Sequence, residues 1–363
     1  MNIVWSLKDY SNNEGWELDS FSVTGDVPEV IEEFKIPSVV DGKHILGIST
    51  MRASFVNLLG RGVKQIKRVI VEDGVEYVAN WAFSQIPIKI DEFYWPATCN
   101  TIPHGCFYCS PVKAITGGIK DVTEIGATAF DATELETFVW PSKCKVIPED
   151  CFCNCVHLMK ISGIDNVTKI GHCAFAVTKL SSFDWPAKCK HIPEGCFFLT
   201  PIKEINNIEH VTQIGLGAFK ETSIIKFTWP SKCKIIPTDC FFNAPLEEIH
   251  GIENVEKIGS EAFGGTLLQT FIWPLKVKVP AANRFSSWGL KNCKKLRKIT
   301  FAENTGIQEV DLNALTSLKN IEIIDLSKVA VVNFINTNSK VETSILYEKI
   351  KDKLRLPYYV AGI

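Results

Sequence analysis

The sequence predicts an α/β repeat protein: a solenoid of coils of about 22 residues, with a long parallel sheet on one face. Three observations predict it. WPSKCKVIPEDCF, beginning at Trp140, returns nearly unchanged as WPSKCKIIPTDCF at Trp229, and catalytic sites do not come in such copies. Trp-Pro pairs fall at Trp95, Trp140, Trp185, Trp229 and Trp273, spaced by 45, 45, 44 and 44 residues. Each unit also holds a shorter echo, IGATAF at Ile125 answering IPEDCF at Ile147. The aligned series Val78, Ile102, Ile125, Ile147, Ile170, Ile192, Ile214, Ile236, Ile258, Val279 therefore halves the period. Self-similarity at such a period is the signature of stacked coils.

Within a coil the apolar pattern is first strand-like. LETFVW sends Leu135, Phe138 and Trp140 to the buried side, and LMKISG does the same with Leu158, Ile161 and Gly163. Alternation of this kind marks a half-buried strand, and the I-G-x-x-A-F segment that follows supplies a second buried wall. Residues 1–47 are expected as an N-terminal cap and first irregular coils, anchored by buried Trp5 and Trp16. Residues 48–301 form the array. Residues 302–363 hold divergent coils, with strands at ITF, VDL and IEIIDL, and a capping helix. In SILYEKIKDKLRL, Leu346, Ile350 and Leu354 lie four apart, the stripe of an amphipathic helix that closes the array or, in the competing reading, binds a partner. The ends need such protection against edge-to-edge pairing.

The strand position of Trp140 reads Trp95, Gly117, Trp140, Gly163, Trp185, Asn207, Trp229, Gly251, Trp273 along the chain. Alternation of a large ring with almost no side chain is read as volume compensation in a close-packed core, in preference to an aromatic binding ladder. Cys99, Cys144, Cys189 and Cys233 give way to Val277, while Cys106, Cys151, Cys196 and Cys240 share their slot with Ala129, Ala174, Ala218 and Ala262. That interchange describes small buried hydrophobes with reduced thiols, with a local Cys99–Cys106 bridge left open. In CFCNCVH, Cys151 and Cys155 belong to these core columns. Only Cys153 and His157 are left over, too few for a zinc site. No metal, cofactor or catalytic constellation is expected.

Phe152, Cys155, Leu158 and Ile161 spell F-x-x-C-x-x-L-x-x-I. With I-G-x-x-A-F at Ile125, Ile170, Ile214 and Ile258, and LKNCKKLRKI ending at Ile299, the chain resembles the BspA-like, Treponema pallidum-type leucine-rich repeat family over about residues 18–301. The resemblance implies a non-enzymatic, protein-binding scaffold at the surface of, or secreted from, a bacterium or protist, attaching to host or matrix proteins. Thirteen cysteines without a disulfide plan, and no readable leader, favour instead an intracellular interaction scaffold in a reducing compartment.

The net charge of −2 lacks the basic footprint of a nucleic-acid binder, and no stretch approaches the roughly 18 apolar residues of a membrane span. Protein is the expected partner. Its docking surface is expected on the outward positions of the sheet strands: Tyr94, Thr116, Val139, Lys160, Asp184, Asn206, Lys226 and His250, with Tyr94 the best single anchor.

Overall fold

The computed structural model describes residues 1–9, 15–274, 276–277, 289–316, 318, 320–336, 341–357 and 359–361. Val279, the last member of the repeat series, lies outside them. The chain forms two compact units, Met1–Ser181 with Pro186–Cys189, and Ser182–Trp185 with Lys190–Ile363. Each is a stack of the coil that the sequence predicts.

Unit 1 begins with an antiparallel hairpin, Asn2–Asp9 on Trp16–Thr24. Trp16–Thr24 then pairs in parallel with Lys43–Ile48, and Lys43–Ile48 with Tyr77–Val78. A second sheet holds Val30–Ile36, Gln65–Val71, Lys89–Trp95 and Ile115–Gly117, all parallel, and Thr137–Val139 pairs with Lys160–Ser162. Trp5 and Trp16 are half-buried rather than buried. Trp5 lies on the outermost strand of its sheet and packs edge-on against Phe21 and Phe34 at 5.4 and 6.1 Å, while Trp16 is covered by the Lys43 ammonium at 3.5 Å.

In unit 2, Ser182–Asp184 pairs with Glu204–Asn206 and Lys226–Thr228 with Glu248–His250. Thr270–Trp273, Lys298–Phe301, Ile323–Asp325 and Leu354–Arg355 make a further block. The expected C-terminal helix is cut short at Thr343–Glu348. Leu346 and Ile350 are buried as the stripe requires, but Leu354 leaves the helix to pair with Ile324 and extend the parallel block.

The central coils of both units have a second, two-residue ladder, and a Gly/Pro alternation sets its extent. In unit 1, Thr101–Ile102 pairs with Glu124–Ile125 and Val146–Ile147 with Lys169–Ile170. Gly126 and Gly171 donate their N–H groups to the Ile102 and Ile147 carbonyls, each at 2.8 Å. A Cβ on Gly171 would sit 2.3 Å from the Glu149 nitrogen, so only glycine lets the backbones approach this closely. In the alternate coils the position is proline, Pro148 in unit 1 and Pro237 in unit 2, which has no N–H to give. The ladder therefore closes in pairs.

The third wall carries an additional ladder. Trp81, Gly105, Thr128, Asp150 and Cys173 in unit 1, and Gly195, Gly217, Asp239 and Glu261 in unit 2, occupy equivalent positions, all left-handed with φ between 50° and 62°. Within a unit, N–H groups at alternate residues from such a position reach carbonyls of the following coil: Thr128 to Glu149 at 3.0 Å, Phe130 to Cys151 at 3.1 Å, Ala132 to Cys153 at 2.8 Å. A left-handed L-residue costs about 1–2 kcal/mol, and these repeated bonds hold it in place.

The recurrent tryptophans are core, with Trp95, Trp140, Trp185, Trp229 and Trp273 no more than 2% exposed. Their motif spacing has a specific cause. The indole N–H donates to the carbonyl four residues on: Trp95 to Cys99 at 2.8 Å, Trp140 to Cys144 at 3.0 Å, Trp229 to Cys233 at 2.9 Å and Trp273 to Val277 at 2.7 Å. The same Cys or Val donates its N–H to the intervening proline carbonyl, as in Cys144 to Pro141 at 2.9 Å. A backbone carbonyl satisfies the indole, so the bond persists where Val277 replaces cysteine. The alternating glycines, however, are not volume partners. Gly117, Gly163 and Gly251 have φ of 76°, 77° and 76°, and Asn207 has 61°. A Cβ on Gly163 would also lie 2.6 Å from the Trp140 carbonyl oxygen. Backbone conformation, not ring size, selects the residue there.

No disulfide joins any of the thirteen cysteines. Burial pushes the Cys144 thiol up to about 11 and those of Cys155 and Cys233 to about 12, and raises Cys106, Cys151 and Cys240 well above the ordinary value. A thiol that stays neutral when folded but ionises when unfolded contributes stability that is fully present below the unfolded pKa near 9.0 and is lost as pH climbs through the folded one near 12. The thiols are thus expected to leave stability to urea unchanged between neutral pH and about 9, with a progressive loss above it. Cys151→Ala and Cys240→Ala, which copy the alternate coils, should flatten that loss. In the native protein at neutral pH, exposed Cys109 is expected to take up a thiol reagent first, and Cys109→Ser should abolish the fast phase.

Candidate partner-binding face

The three-residue strands fix the outward positions by simple alternation. In Thr137–Val139, Ser182–Asp184 and Lys226–Thr228 the central phenylalanine is buried and both neighbours are exposed. The eight positions expected from sequence lie on sheet strands, four in each unit. Tyr94 and Thr116 are half-buried, and Val139, Lys160, Asp184, Asn206, Lys226 and His250 are exposed.

In unit 1 the face is a polar network. The Thr116 hydroxyl donates to Glu92 Oε1 at 2.6 Å, Glu92 Oε2 lies 3.2 Å from Arg68 Nε, and the Arg68 guanidinium sits 5.4 Å from the Tyr94 ring centre. Beside it, Gln65 donates to Asp91 Oδ2 at 2.7 Å and Lys113 Nζ lies 3.5 Å from Asp91 Oδ1. The Tyr94 ring crosses Gly117, where a Cβ would come within 2.7 Å of it. Tyr94 is thereby a fixed ring, as an anchor requires. The register brings Arg68 opposite Glu92, as neighbouring outward positions of the repeat. Val139, 68% exposed, is an apolar member of the surface.

In unit 2, Asn206 donates to Asp184 Oδ1 at 2.9 Å. Lys226 Nζ lies 2.8 Å from Glu248 Oε1, and Glu248 Oε2 lies 3.5 Å from His250 Nε2. The hydrogen bond with Lys226 holds the Glu248 carboxyl below its usual value, and the same bond raises the Lys226 ammonium. Among the described residues, Glu204–Asn206 and Lys226–Thr228 do not pair. A cavity of about 590 Å³ opens there, lined by Glu204, Ile205, Asn206, Lys226, Phe227 and Trp229 among others. Ile205 is half-exposed in this cleft where Phe227 is buried. Cys151 and Cys155 of the CFCNCVH stretch are fully buried in the core, as their columns require.

The BspA-type leucine-rich repeat region matches the chain in six copies, over residues 61–158, 123–247 and 234–355. The chain belongs to this family. Among curated proteins none matches the sequence. Solved leucine-rich repeat structures do. A leucine-rich repeat protein from Bacteroides ovatus is 17% identical, with TM-score 0.60, over 99% of this chain and 98% of that one. A leucine-rich cell surface protein from Faecalibacterium prausnitzii is 18% identical, with TM-score 0.55, over 99% and 93%. The pneumococcal vaccine antigen PcpA is 16% identical, with TM-score 0.55, over 100% and 97%. At these identities the likeness is one of fold. This leucine-rich repeat chain is a repeat scaffold, and no helix among its described residues is long and apolar enough to cross a membrane.

Proposed function

We propose that the chain is a non-enzymatic protein-binding scaffold of adhesin type, displayed at a cell surface and attaching to host or matrix proteins through the outward sheet face. The observation that carries this reading is the face itself. Its exposed polar side chains are held in place by one another, as in Lys226–Glu248–His250, and beside them opens a cleft with an apolar floor. Such a surface loses little conformational freedom on docking a protein. Membership of the family and the fold shared with a cell surface protein and a vaccine antigen support the location. The chemistry-bearing motifs of the sequence are absorbed by the repeat, since the cysteine columns are neutral core thiols.

A second reading, an intracellular interaction scaffold, rests on thirteen cysteines with no disulfide among them. Labelling intact cells of the source organism with a membrane-impermeant amine reagent separates the two. Surface display predicts modification of this chain before lysis. Protection until lysis would sink the adhesin reading and leave the intracellular one.

A further inference from the structure

Trp81 stands apart from the other ring positions of the described array. It holds a left-handed position, φ 62°, where the equivalent residues of unit 1 are Gly105, Thr128, Asp150 and Cys173. A bulky residue rarely adopts this conformation. The cross-coil ladder imposes it, the Trp81 N–H reaching the His104 carbonyl at 3.0 Å. The surroundings here are specific. The indole lies on Gly105, where a Cβ would come within 2.1 Å of the ring. His104 and Tyr108 stand perpendicular to it, with centroids at 4.7 and 5.5 Å and interplanar angles of 88° and 90°. Asn80 is tied to the same corner, its Oδ1 accepting the His104 backbone N–H at 3.2 Å. Although wedged in this way, Trp81 remains 38% exposed, unlike the Trp-Pro residues of the core.

We infer that Trp81 is the platform of a carbohydrate site that takes a neutral pyranose ring. A rigid exposed indole offers a flat apolar surface that matches the C–H face of a sugar and costs no rotamer freedom on binding. The groups around it are an amide, an imidazole and a phenol, which exchange hydrogen bonds with ring hydroxyls. An extended proline-rich peptide would call for a row of parallel aromatic ridges, whereas His104 and Tyr108 stand perpendicular to the indole. The site is on the left-handed turn wall, and its occupancy does not depend on the sheet face.

The test uses the full-length chain on an immobilised panel of neutral gluco-, galacto- and N-acetylglucosamine oligosaccharides, with a proline decapeptide alongside. Trp81→Gly suits the left-handed backbone and is expected to fold with unchanged thermal stability or better. It should weaken binding of the preferred oligosaccharide at least tenfold, and His104→Ala should weaken it less. Saturation-transfer NMR on the same sugar should lose its signal in Trp81→Gly. Failure of every oligosaccharide to bind, equal binding by Trp81→Gly, or Trp81-dependent binding of the proline peptide alone would each overturn the inference. Protein binding through the sheet face should be unaltered in Trp81→Gly, so the two readings fail separately.

Discussion

Trp229→Ala is expected to destabilise unit 2 by about 3–5 kcal/mol, the usual cost of emptying a large buried aromatic site. The ring is 2% exposed and packs against Phe227 and Phe241 with centroids at 6.1 and 6.3 Å. Its removal also leaves the Cys233 carbonyl without the indole donor now 2.9 Å away, which adds an unsatisfied buried acceptor. Trp229→Phe keeps most of the volume and loses that bond, so roughly 1–3 kcal/mol is expected. Urea denaturation followed by circular dichroism reads both. Equal losses for Ala and Phe would show that the hydrogen bond, not the filled volume, carries the effect.

Gly251→Ala is the second large effect. At φ 76° an alanine is held left-handed, and its Cβ would lie 2.7 Å from the Trp229 carbonyl oxygen. The conformational part costs about 1–2 kcal/mol and the overpacking typically a further 1–3 kcal/mol. Gly251→Asn is expected to cost less than alanine despite its larger side chain, because asparagine visits this region more readily and Asn207 already occupies the equivalent place at φ 61°. Volume compensation between tryptophan and glycine predicts the opposite order. Comparing the two midpoints in one urea series decides between them.

Much of the fold was legible because it is periodic. The Trp-Pro repeat, the cysteine columns and the inward side of each strand follow from spacing, and Trp140, Cys144 and Phe138 are buried as expected. What spacing conceals is backbone sign. Thr128, Asp150, Cys173 and Glu261 share no residue type that favours φ > 0, yet all are left-handed, because the cross-coil ladder of the third wall imposes it. The buried hydroxyls are a second omission. Thr133, Thr178, Thr222 and Thr266 each donate to the phenylalanine carbonyl three residues back, at 2.9, 2.9, 2.9 and 2.8 Å. Cys155 and Cys293 hold the equivalent place in their coils and donate to Phe130 and Phe263 of the coil before, at 2.9 and 3.0 Å. The sequence signal was a Ser, Thr or Cys three residues after the phenylalanine, of which only the cysteine drew notice. At the binding face, outward positions followed from alternation, whereas the Arg68–Glu92–Thr116 chain depends on register between strands 24 residues apart. The C-terminal stripe misled because Leu354 serves a strand at the spacing of a helix.

The most direct test of the account is binding of the purified full-length chain to a panel of extracellular-matrix glycoproteins, compared with the double variant Lys226→Glu, His250→Ala. Lys220→Glu, on the turn wall beside Phe242, is the control. Attachment through the sheet face predicts that at least one matrix protein is bound, that the double variant weakens it at least tenfold and that the control does not. Binding that is indifferent to the sheet-face substitutions, or no binding to any member of the panel, would contradict it.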